Sequence, residues 1–186
     1  MKKLFFDSEF TGLHQRTTLI SIGIISECGK TFYAEFDDYD KLQLDVWLIE
    51  NVINKLKFKK EKGGPNHYKS IHDENDKSYS IELLGDTEKI KWALEQWLKQ
   101  FGEVEIWSDC LSYDWVLFCQ IFGHSFNIPE SIYYIPFDIC TMFKVHGIDP
   151  DINREDFADM NEESEKHNAL WDAKVIKACY YKAEIK

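Results

Sequence analysis

The sequence predicts an α/β protein built on a mixed β-sheet that is flanked by helices. Its first part holds runs of β-branched and aromatic residues at positions 3–6, 18–26 and 30–36, which are typical of strands. Cys28 and Gly29 are the expected turn between the last two runs, which therefore form a hairpin. Later in the chain, helical and strand patterns alternate. This order favours antiparallel pairing of the early strands and parallel pairing of the later ones.

The region after the hairpin is predicted to begin with one amphipathic helix. Its apolar positions recur at alternating spacings of four and three, at Leu42, Val46, Ile49, Ile53 and Leu56. Residues 57–80 follow with almost no apolar periodicity, and we expect a long mobile excursion rather than a domain boundary there. The approach to it is rich in lysine, at Lys55, Lys57, Lys59, Lys60 and Lys62. A solvated face is the plainer interpretation, and a flap that contacts phosphates is the alternative.

The remaining elements follow from periodicity and capping. Helices are predicted over residues 87–101, 113–122 and 168–182, and strands over 104–107 and 133–137. Asp138 is the expected N-cap of a further helix, and Asp86 and Glu88 are expected to stabilise the start of the first. Residues 149–166 carry eight acidic against two basic side chains and are expected to form a solvated loop or short helix.

Length and composition set further limits. The 186 residues suit a single domain over residues 1–186, and 44% hydrophobic content provides a packed interior. Neither a membrane span nor a signal peptide is recognisable, so we expect a cytoplasmic location. Five cysteines without a C-x-x-C pair predict reduced, mostly buried thiols. The net charge of −11 disfavours a protein that coats DNA, although it suits an enzyme whose carboxylates bind divalent cations.

Asp7 and Glu9, at the end of the first predicted strand, are the first candidate for chemistry. Residues two apart on a strand point to the same face, so both carboxylates can converge on one metal position. The D-x-E pattern alone is weak, because Asp86 and Glu88 repeat it at a helix start. The first copy differs in its setting, D-S-E-F-T-G-L directly after an apolar strand.

Three further residues are weaker candidates when taken singly. His167 precedes the last helix and could swing towards a metal bound by Asp172, although most histidines of this kind are structural or exposed. Asp114 lies in a first helical turn, where an acid also favours the helix dipole. Asp109 and Asp138 are rival acids, which we expect to be caps or solvent-exposed rather than catalytic.

Taken together in this order, these residues resemble the DEDDh 3′-to-5′ exonucleases of the RNase H-like superfamily, which include oligoribonuclease, ribonuclease T and polymerase proofreading exonucleases. D-S-E-F-T-G-L is similar to their first motif, D-x-E-x-T-G-L, and would arise by chance about 10⁻⁴ times in such a chain. Tyr113-Asp114 resembles the second motif, and H-N-A-L-W-D at residues 167–172 the third. The short size and early hairpin look closest to the polyadenylate-specific exoribonuclease branch. One departure is Asp109 and Cys110, where the family usually has an asparagine.

The resemblance implies an RNase H-like fold and a set of roles. Two Mg²⁺ or Mn²⁺ ions would be held by four carboxylates, those of Asp7, Glu9, Asp114 and Asp172. His167 would be the general base on the attacking water. The terminal nucleotide would be received around Phe10, Thr11 and Leu13. Tyr113 and Trp115 are candidate stacking platforms, with core packing as the equal alternative.

The leading hypothesis is therefore a metal-dependent 3′-to-5′ exoribonuclease that acts on single-stranded RNA ends. A DNA exonuclease of the same fold is the nearest alternative. A catalytically silent module that binds nucleic acid or protein is another, although the intact set of four acids and a histidine weighs against it. An acidic cation-binding protein is a third, but no EF-hand spacing supports it. A homodimer is also expected by resemblance.

Overall fold

A seven-stranded mixed sheet organises the protein. The computed structural model describes residues 1–60, 67–72, 78–162 and 165–185, with the backbone alone at 59 and 60. The strands are β1 (Lys2–Phe10), β2 (Leu19–Ser26), β3 (Thr31–Phe36), β4 (Tyr68–His72), β5 (Tyr79–Gly85), β6 (Val104–Ser108) and β7 (Phe137–Asp138). They are ordered β4-β5-β3-β2-β1-β6-β7. The pairs β1–β2, β2–β3 and β4–β5 are antiparallel, whereas β3–β5, β1–β6 and β6–β7 are parallel. The predicted fold class is confirmed.

Helices cover both faces of the sheet. They are α1 (Val46–Asn51), α2 (Lys57–Lys60), α3 (Thr87–Leu98), α4 (Leu111–Ile121), α5 (Ile139–Val145), α6 (Arg154–Ala158) and α7 (Ala169–Glu184). Short 3₁₀ helices lie at Lys41–Gln43, Ile53–Lys55 and Ser125–Asn127. The predicted caps are present, because the Asp86 and Asp138 carboxylates accept hydrogen bonds from the backbone N–H groups of Lys89 and Thr141. Among the described residues, no helix has the length and apolar character that crossing a membrane requires.

β1 is an interior strand between β2 and β6, and its side chains alternate between two buried layers. Leu4 and Phe6 belong to the core with α3 and α4, and the Phe6 ring lies 5.6 Å from that of Phe118. Phe5 points to the other face, where its ring lies 5.3 Å from Tyr180 of α7. Because the strand has a period of two, the face that carries Phe5 also carries positions 7 and 9.

The single amphipathic helix predicted over residues 42–56 is wrong. The structure has two 3₁₀ helices and α1 there, and Leu42 is 96% exposed rather than buried. Two aspartates explain the breaks, since the Asp40 and Asp45 carboxylates accept hydrogen bonds from the backbone N–H groups of Leu42 and Leu48. Each aspartate therefore starts a separate short helix. Of the five pattern positions, Ile53 and Leu56 are buried, in one cluster with Ile20, whereas Val46 and Ile49 are exposed like Leu42.

The excursion predicted for residues 57–80 contains regular structure that its lack of apolar periodicity did not indicate. α2 and β4 lie within this range, and β5 begins in it. β4 was not predicted, because four of its five side chains are exposed and it pairs only with β5 on the described part of the sheet. The flap hypothesis falls largely on residues 61–66 and 73–77, which lie outside the described residues, and it stays a prediction. Lys57 forms an ion pair with Glu82 of β5.

Three smaller predictions differ in part from the structure. The strand expected over residues 133–137 is reduced to the two residues of β7, since Pro136 has no N–H group for a sheet ladder. The acidic segment does contain a short helix, α6, but its Glu155 is buried rather than solvated. All five cysteines are free as predicted, although Cys119 and Cys179 alone are fully buried and Cys28 is exposed.

Candidate active site

β1 carries the first two site residues beyond the end of its pairing with β6. The register pairs of the two strands end at Phe5 and Trp107, whereas β1 continues to Phe10. Asp7 and Glu9 therefore lie where the sheet has opened on one side, on the face that α7 covers. The carboxyl end of a parallel strand pair is a common location for ligand sites in open α/β sheets.

Asp172 reaches this position because α7 starts very close to the sheet. Gly23 of β2 pairs with Asp7, and a Cβ atom built on Gly23 would lie 2.2 Å from the backbone nitrogen of Leu170. The Asn168 side chain caps the helix by accepting hydrogen bonds from the N–H groups of Leu170 and Trp171. Asp172 is thus held in the first turn of α7, directly above β1.

His167 lies in the turn before α7 in a left-handed backbone conformation, with φ of +61°. Non-glycine residues adopt this conformation at a cost of about 1 kcal/mol, and such strain clusters at functional sites. The conformation lets the backbone N–H of His167 donate a hydrogen bond to the Asp172 carboxylate. The preceding carbonyl, of Lys166, accepts a 2.8 Å hydrogen bond from the Nζ atom of Lys55. The histidine ring meets the Trp47 ring edge-on at 5.1 Å.

Asp114 enters from the first turn of α4, on the other side of β1. Its side chain is fully buried. One carboxylate oxygen accepts a 2.5 Å hydrogen bond from the Ser8 hydroxyl, and the other accepts one from the Ser108 hydroxyl. The two serines, from β1 and β6, fix this carboxylate against both neighbouring strands.

The carboxylates form two groups that share one member. Oxygens of Asp7, Glu9 and Asp172 all lie within 4.8 Å of one another, and so do oxygens of Asp7, Asp109 and Asp114. Clustered carboxylate oxygens are the ligands that the hard cations Mg²⁺ and Mn²⁺ prefer. The donor set therefore fits divalent cations, and Asp7 belongs to both groups.

Burial, together with repulsion between neighbouring carboxylates, raises the pKa values of the acidic groups in this cluster. Burial, followed by the charges of Asp172 and Asp114, raises the pKa of Glu9 to about 8. Burial also raises the pKa values of Asp114 and Asp172 to about 7, and that of Asp7 well above its ordinary value. Lys55 opposes the shift at Glu9 and Asp172. Without a cation, the cluster therefore retains protons near neutral pH that a bound cation would displace.

Asp109 is the residue whose surroundings differ most from the prediction. The expectation of a cap or an exposed side chain is confirmed for Asp138 and wrong for Asp109, whose side chain is only 24% exposed. The Asp109 carboxylate lies 3.6 Å from the Nε atom of Arg154 and borders Asp7 and Asp114. The departure from the family's asparagine at this position was the available signal.

Two pockets meet at the carboxylates. The larger, of about 400 Å³, is lined by residues 7–13 together with Asp45, Trp47, Leu48, Cys110, His167 and Asp172. A second, of about 270 Å³, shares Asp7, His167 and Asp172 with the first and extends towards Arg154 and Lys166. His167 borders both. Trp47 was not among the predicted site residues, because it lies outside the apolar spacing on which the helix over residues 42–56 was predicted.

The predicted substrate-binding residues take different positions. Leu13 is 72% exposed at the larger pocket, and the Phe10 ring stacks on that of Tyr113 with centroids 5.5 Å apart. Thr11 is buried, and its hydroxyl donates a 2.7 Å hydrogen bond to Gln43, which fixes the pocket wall. Trp115 stacks on Phe118 of the same helix, at 5.5 Å. The packing of Trp115 is thus towards the core.

The fold and the site together define an α/β protein with a carboxylate cluster at the end of an interior strand of a mixed sheet. The sequence profile of the family described as the 3′-5′ exoribonuclease Rv2179c-like domain matches residues 2–183. The chain belongs to this family of 3′-5′ exoribonucleases.

Two relatives with assigned activity are similar at lower identity. They are the 3′-5′ exoribonucleases Rv2179c and MT2234.1, from two strains of Mycobacterium tuberculosis. Each is 25% identical to the chain over 132 residues, which cover 70% of this chain and 67% of the relative. The family assignment agrees with the predicted 3′-to-5′ exonuclease activity.

Proposed function

We propose that the protein is a metal-dependent 3′-to-5′ exoribonuclease of the DEDDh type, which removes nucleotides from single-stranded RNA by two-metal-ion hydrolysis. The observation that carries this proposal is the position of Asp7 in two carboxylate groups at once. A carboxylate that belongs to both groups can contact two cations at once, and two-metal sites that act on phosphodiesters hold their ions about 4 Å apart. The exoribonuclease family supplies the reaction class.

The four predicted carboxylates have the positions to hold both ions. Asp7, Glu9 and Asp172 would bind one cation, and Asp7 with Asp114 would bind the other. Bound divalent cations at such a site activate a water molecule and stabilise the charge that develops on the phosphate and the leaving oxygen. The Ser8 and Ser108 hydroxyls hold the Asp114 carboxylate in one orientation while substrate enters.

His167 is proposed as the general base. Its backbone is tied to Asp172, and the residue lines both pockets together with Asp7 and Asp172, two of the carboxylates that would hold the cations. In this role an imidazole nitrogen accepts the proton of the attacking water. The edge-on contact with Trp47 limits the directions in which the ring can turn.

The larger pocket is proposed to receive the 3′-terminal nucleotide. Its volume of about 400 Å³ lies within the ordinary range of small-molecule sites. Leu13 and Trp47 offer apolar surface there, and the Phe10–Tyr113 stack supports its wall. A base can pack on such side chains with little sequence preference. The resemblance to the polyadenylate-specific branch, a homodimer and a cytoplasmic location stay predictions of the sequence.

The test compares matched substrates. Short RNA and DNA strands of one sequence, labelled at the 5′ end, are incubated with Mg²⁺, Mn²⁺ or EDTA. The proposal predicts a ladder that shortens from the 3′ end of RNA with either cation and no cleavage in EDTA. Faster cleavage of DNA than RNA would favour the DNA exonuclease. Cleavage of neither strand by folded, metal-bound protein would favour a silent binding module.

The matched variants are Asp7→Asn and Asp151→Asn, which remove the same charge. Asp151 is exposed in a turn, lines neither of the two pockets and belongs to neither carboxylate group. The proposal expects loss of hydrolysis for Asp7→Asn and full activity for Asp151→Asn. Equal activity in both variants would remove Asp7 from the mechanism.

A further inference from the structure

Asp109 and Arg154 form an ion pair at the edge of the carboxylate cluster. The Asp109 carboxylate belongs to the group with Asp7 and Asp114, whose oxygens lie within 4.8 Å of one another. Arg154, the first residue of α6, places its Nε atom 3.6 Å from the Asp109 carboxylate. A fifth acidic side chain is thus close enough to share a cation with Asp7.

Asp109 is also the more accessible of the two partners that Asp7 has in this group. Asp114 is fully buried, and each of its oxygens already accepts a hydrogen bond from a serine hydroxyl. Each oxygen has therefore lost one of its two acceptor positions. The Asp109 side chain retains 24% exposure and lines the second pocket. A cation that enters from that pocket can reach Asp109 without breaking the serine contacts.

Arg154 is held in place by contacts other than Asp109. One guanidinium N–H donates to the Sγ atom of Cys140 at 2.9 Å, and another donates to the carbonyl of Ile152. The guanidinium carbon lies 5.8 Å from the centre of the Phe143 ring. Arg154 therefore stays beside the cluster whether or not Asp109 contacts it.

We propose that Asp109 is a fifth carboxylate ligand, which binds the second cation together with Asp7, and that Arg154 is its fixed counter-charge in the metal-free protein. This inference rests on the proposed function, since it assumes that the cluster binds two cations. It adds a ligand outside the four-carboxylate set and assigns a role to the position where the family's asparagine is replaced.

The test counts bound Mn²⁺ and does not depend on hydrolysis. Metal-free protein is titrated with Mn²⁺, and unbound Mn²⁺ is measured by electron paramagnetic resonance. The titration is done with and without adenosine 5′-monophosphate, a mononucleotide that has no phosphodiester bond to hydrolyse. We expect wild type and Asp151→Asn to bind two Mn²⁺. Asp109→Asn should bind the first Mn²⁺ normally and the second at least about tenfold more weakly. Removing one negative charge from a repulsive cluster should leave this variant folded, which circular dichroism checks.

Two outcomes overturn the proposal. One is a loss of less than tenfold for the second Mn²⁺ in Asp109→Asn, and the other is a wild type that binds fewer than two Mn²⁺ under both conditions. Failure of the proposed function is a separate result. If the protein binds two Mn²⁺ through Asp109 but hydrolyses neither RNA nor DNA, the ligand role of Asp109 stands and the proposed exoribonuclease activity is wrong.

Arg154→Gln tests the role of Arg154 as the counter-charge. Its expected effect on the affinity for the second Mn²⁺ is opposite to that of Asp109→Asn. Without the guanidinium, Asp109 has no compensating cation at 3.6 Å, so the second Mn²⁺ should bind more tightly than in wild type. Unchanged or weaker binding in folded Arg154→Gln would contradict the role of Arg154. The Asp109 assignment would then depend on the Asp109→Asn titration.

Discussion

Gly23 lies directly beneath Leu170, so close that a single methyl group there would clash with the backbone of the last helix. A Cβ atom at Gly23 would approach the Leu170 nitrogen to 2.2 Å and the Ala169 carbonyl carbon to 2.3 Å. Because Gly23 pairs with Asp7, this contact sets how closely Asp172 approaches the other carboxylates. The carboxylate cluster thus depends on a glycine that carries no chemistry.

Gly23→Ala is expected to lower both stability and activity. The methyl group must push α7 away from β2, and overpacking of this kind costs about 1–3 kcal/mol. The displacement also separates Asp172 from Asp7. Urea unfolding and the rate of RNA hydrolysis measure the two effects.

Gly29→Ala is the matched control for Gly23→Ala. Gly29 has φ of +89° in the hairpin turn, with open space where a Cβ would lie. Its replacement should reduce stability through backbone strain and leave the activity of the folded protein unchanged. Equal activity of the two variants would show that the α7 contact does not position the site.

The stability of the metal-free protein should fall as the pH rises from about 6 to about 8.5. Glu9, Asp114 and Asp172 have pKa values of about 7 to 8 in the folded protein, well above those of the unfolded chain. The folded state therefore holds more protons, and its stability decreases as these groups ionise. Thermal unfolding in EDTA at the two pH values measures the change.

Added Mg²⁺ should reverse this loss at pH 8.5, because a cation that binds the folded state stabilises it. The same titration at pH 6 should give a smaller increase in Tm, since protons compete for the carboxylates there. A Tm in EDTA that rises with pH over this range would show that the pKa values of these carboxyl groups are not raised in the folded protein.

Asp7→Asn should separate stability from catalysis. Asp7 is repelled by Asp114, Asp172 and Glu9, and burial adds to the cost of its charge. Removing that charge should raise the Tm in EDTA at pH 8.5 while abolishing hydrolysis in Mg²⁺. A lower Tm would mean that Asp7 makes a structural contribution larger than the repulsion.

His167→Gly should lower turnover by about 10²- to 10⁴-fold with little change in Mn²⁺ affinity. Glycine accepts the φ of +61°, so this variant removes the ring and keeps the turn. Partial recovery of turnover with free imidazole would support a proton-transfer role. A collapse of Mn²⁺ affinity would instead mean that the residue helps to hold the cation site.

Lys55→Met should reduce kcat more than it changes KM. The Lys55 ammonium group anchors the carbonyl before His167 and lies near Glu9 and Asp172. Its loss should loosen the turn that positions the proposed base. Lys57→Met is the control, because Lys57 forms its ion pair with Glu82. A matching loss in both variants would indicate a general effect of lysine removal.

The sequence predicts the site better than it predicts the path of the chain. Asp7 and Glu9 follow a strand with a period of two, and their convergence needs only that local rule. Bringing Asp114 and Asp172 to the same place depends on the sheet order and on Gly23, which are long-range properties. The family motifs supplied that information where local periodicity could not.

The errors have local physical causes. Apolar spacing suggested one helix over residues 42–56, but side-chain caps at Asp40 and Asp45 took precedence over periodicity. β4 was missed because an edge strand with exposed side chains has no apolar alternation to detect. The surroundings of Asp109 could not be predicted, because its partner Arg154 lies 45 positions away in a segment interpreted as solvated.

The most direct test of the account is a time course of wild type and Asp7→Asn on 5′-labelled single-stranded RNA with Mn²⁺ and with EDTA. The account predicts successive shortening by single nucleotides from the 3′ end, by the wild type in Mn²⁺ alone. Cleavage that persists in EDTA or in Asp7→Asn, or that begins inside the strand, would contradict it.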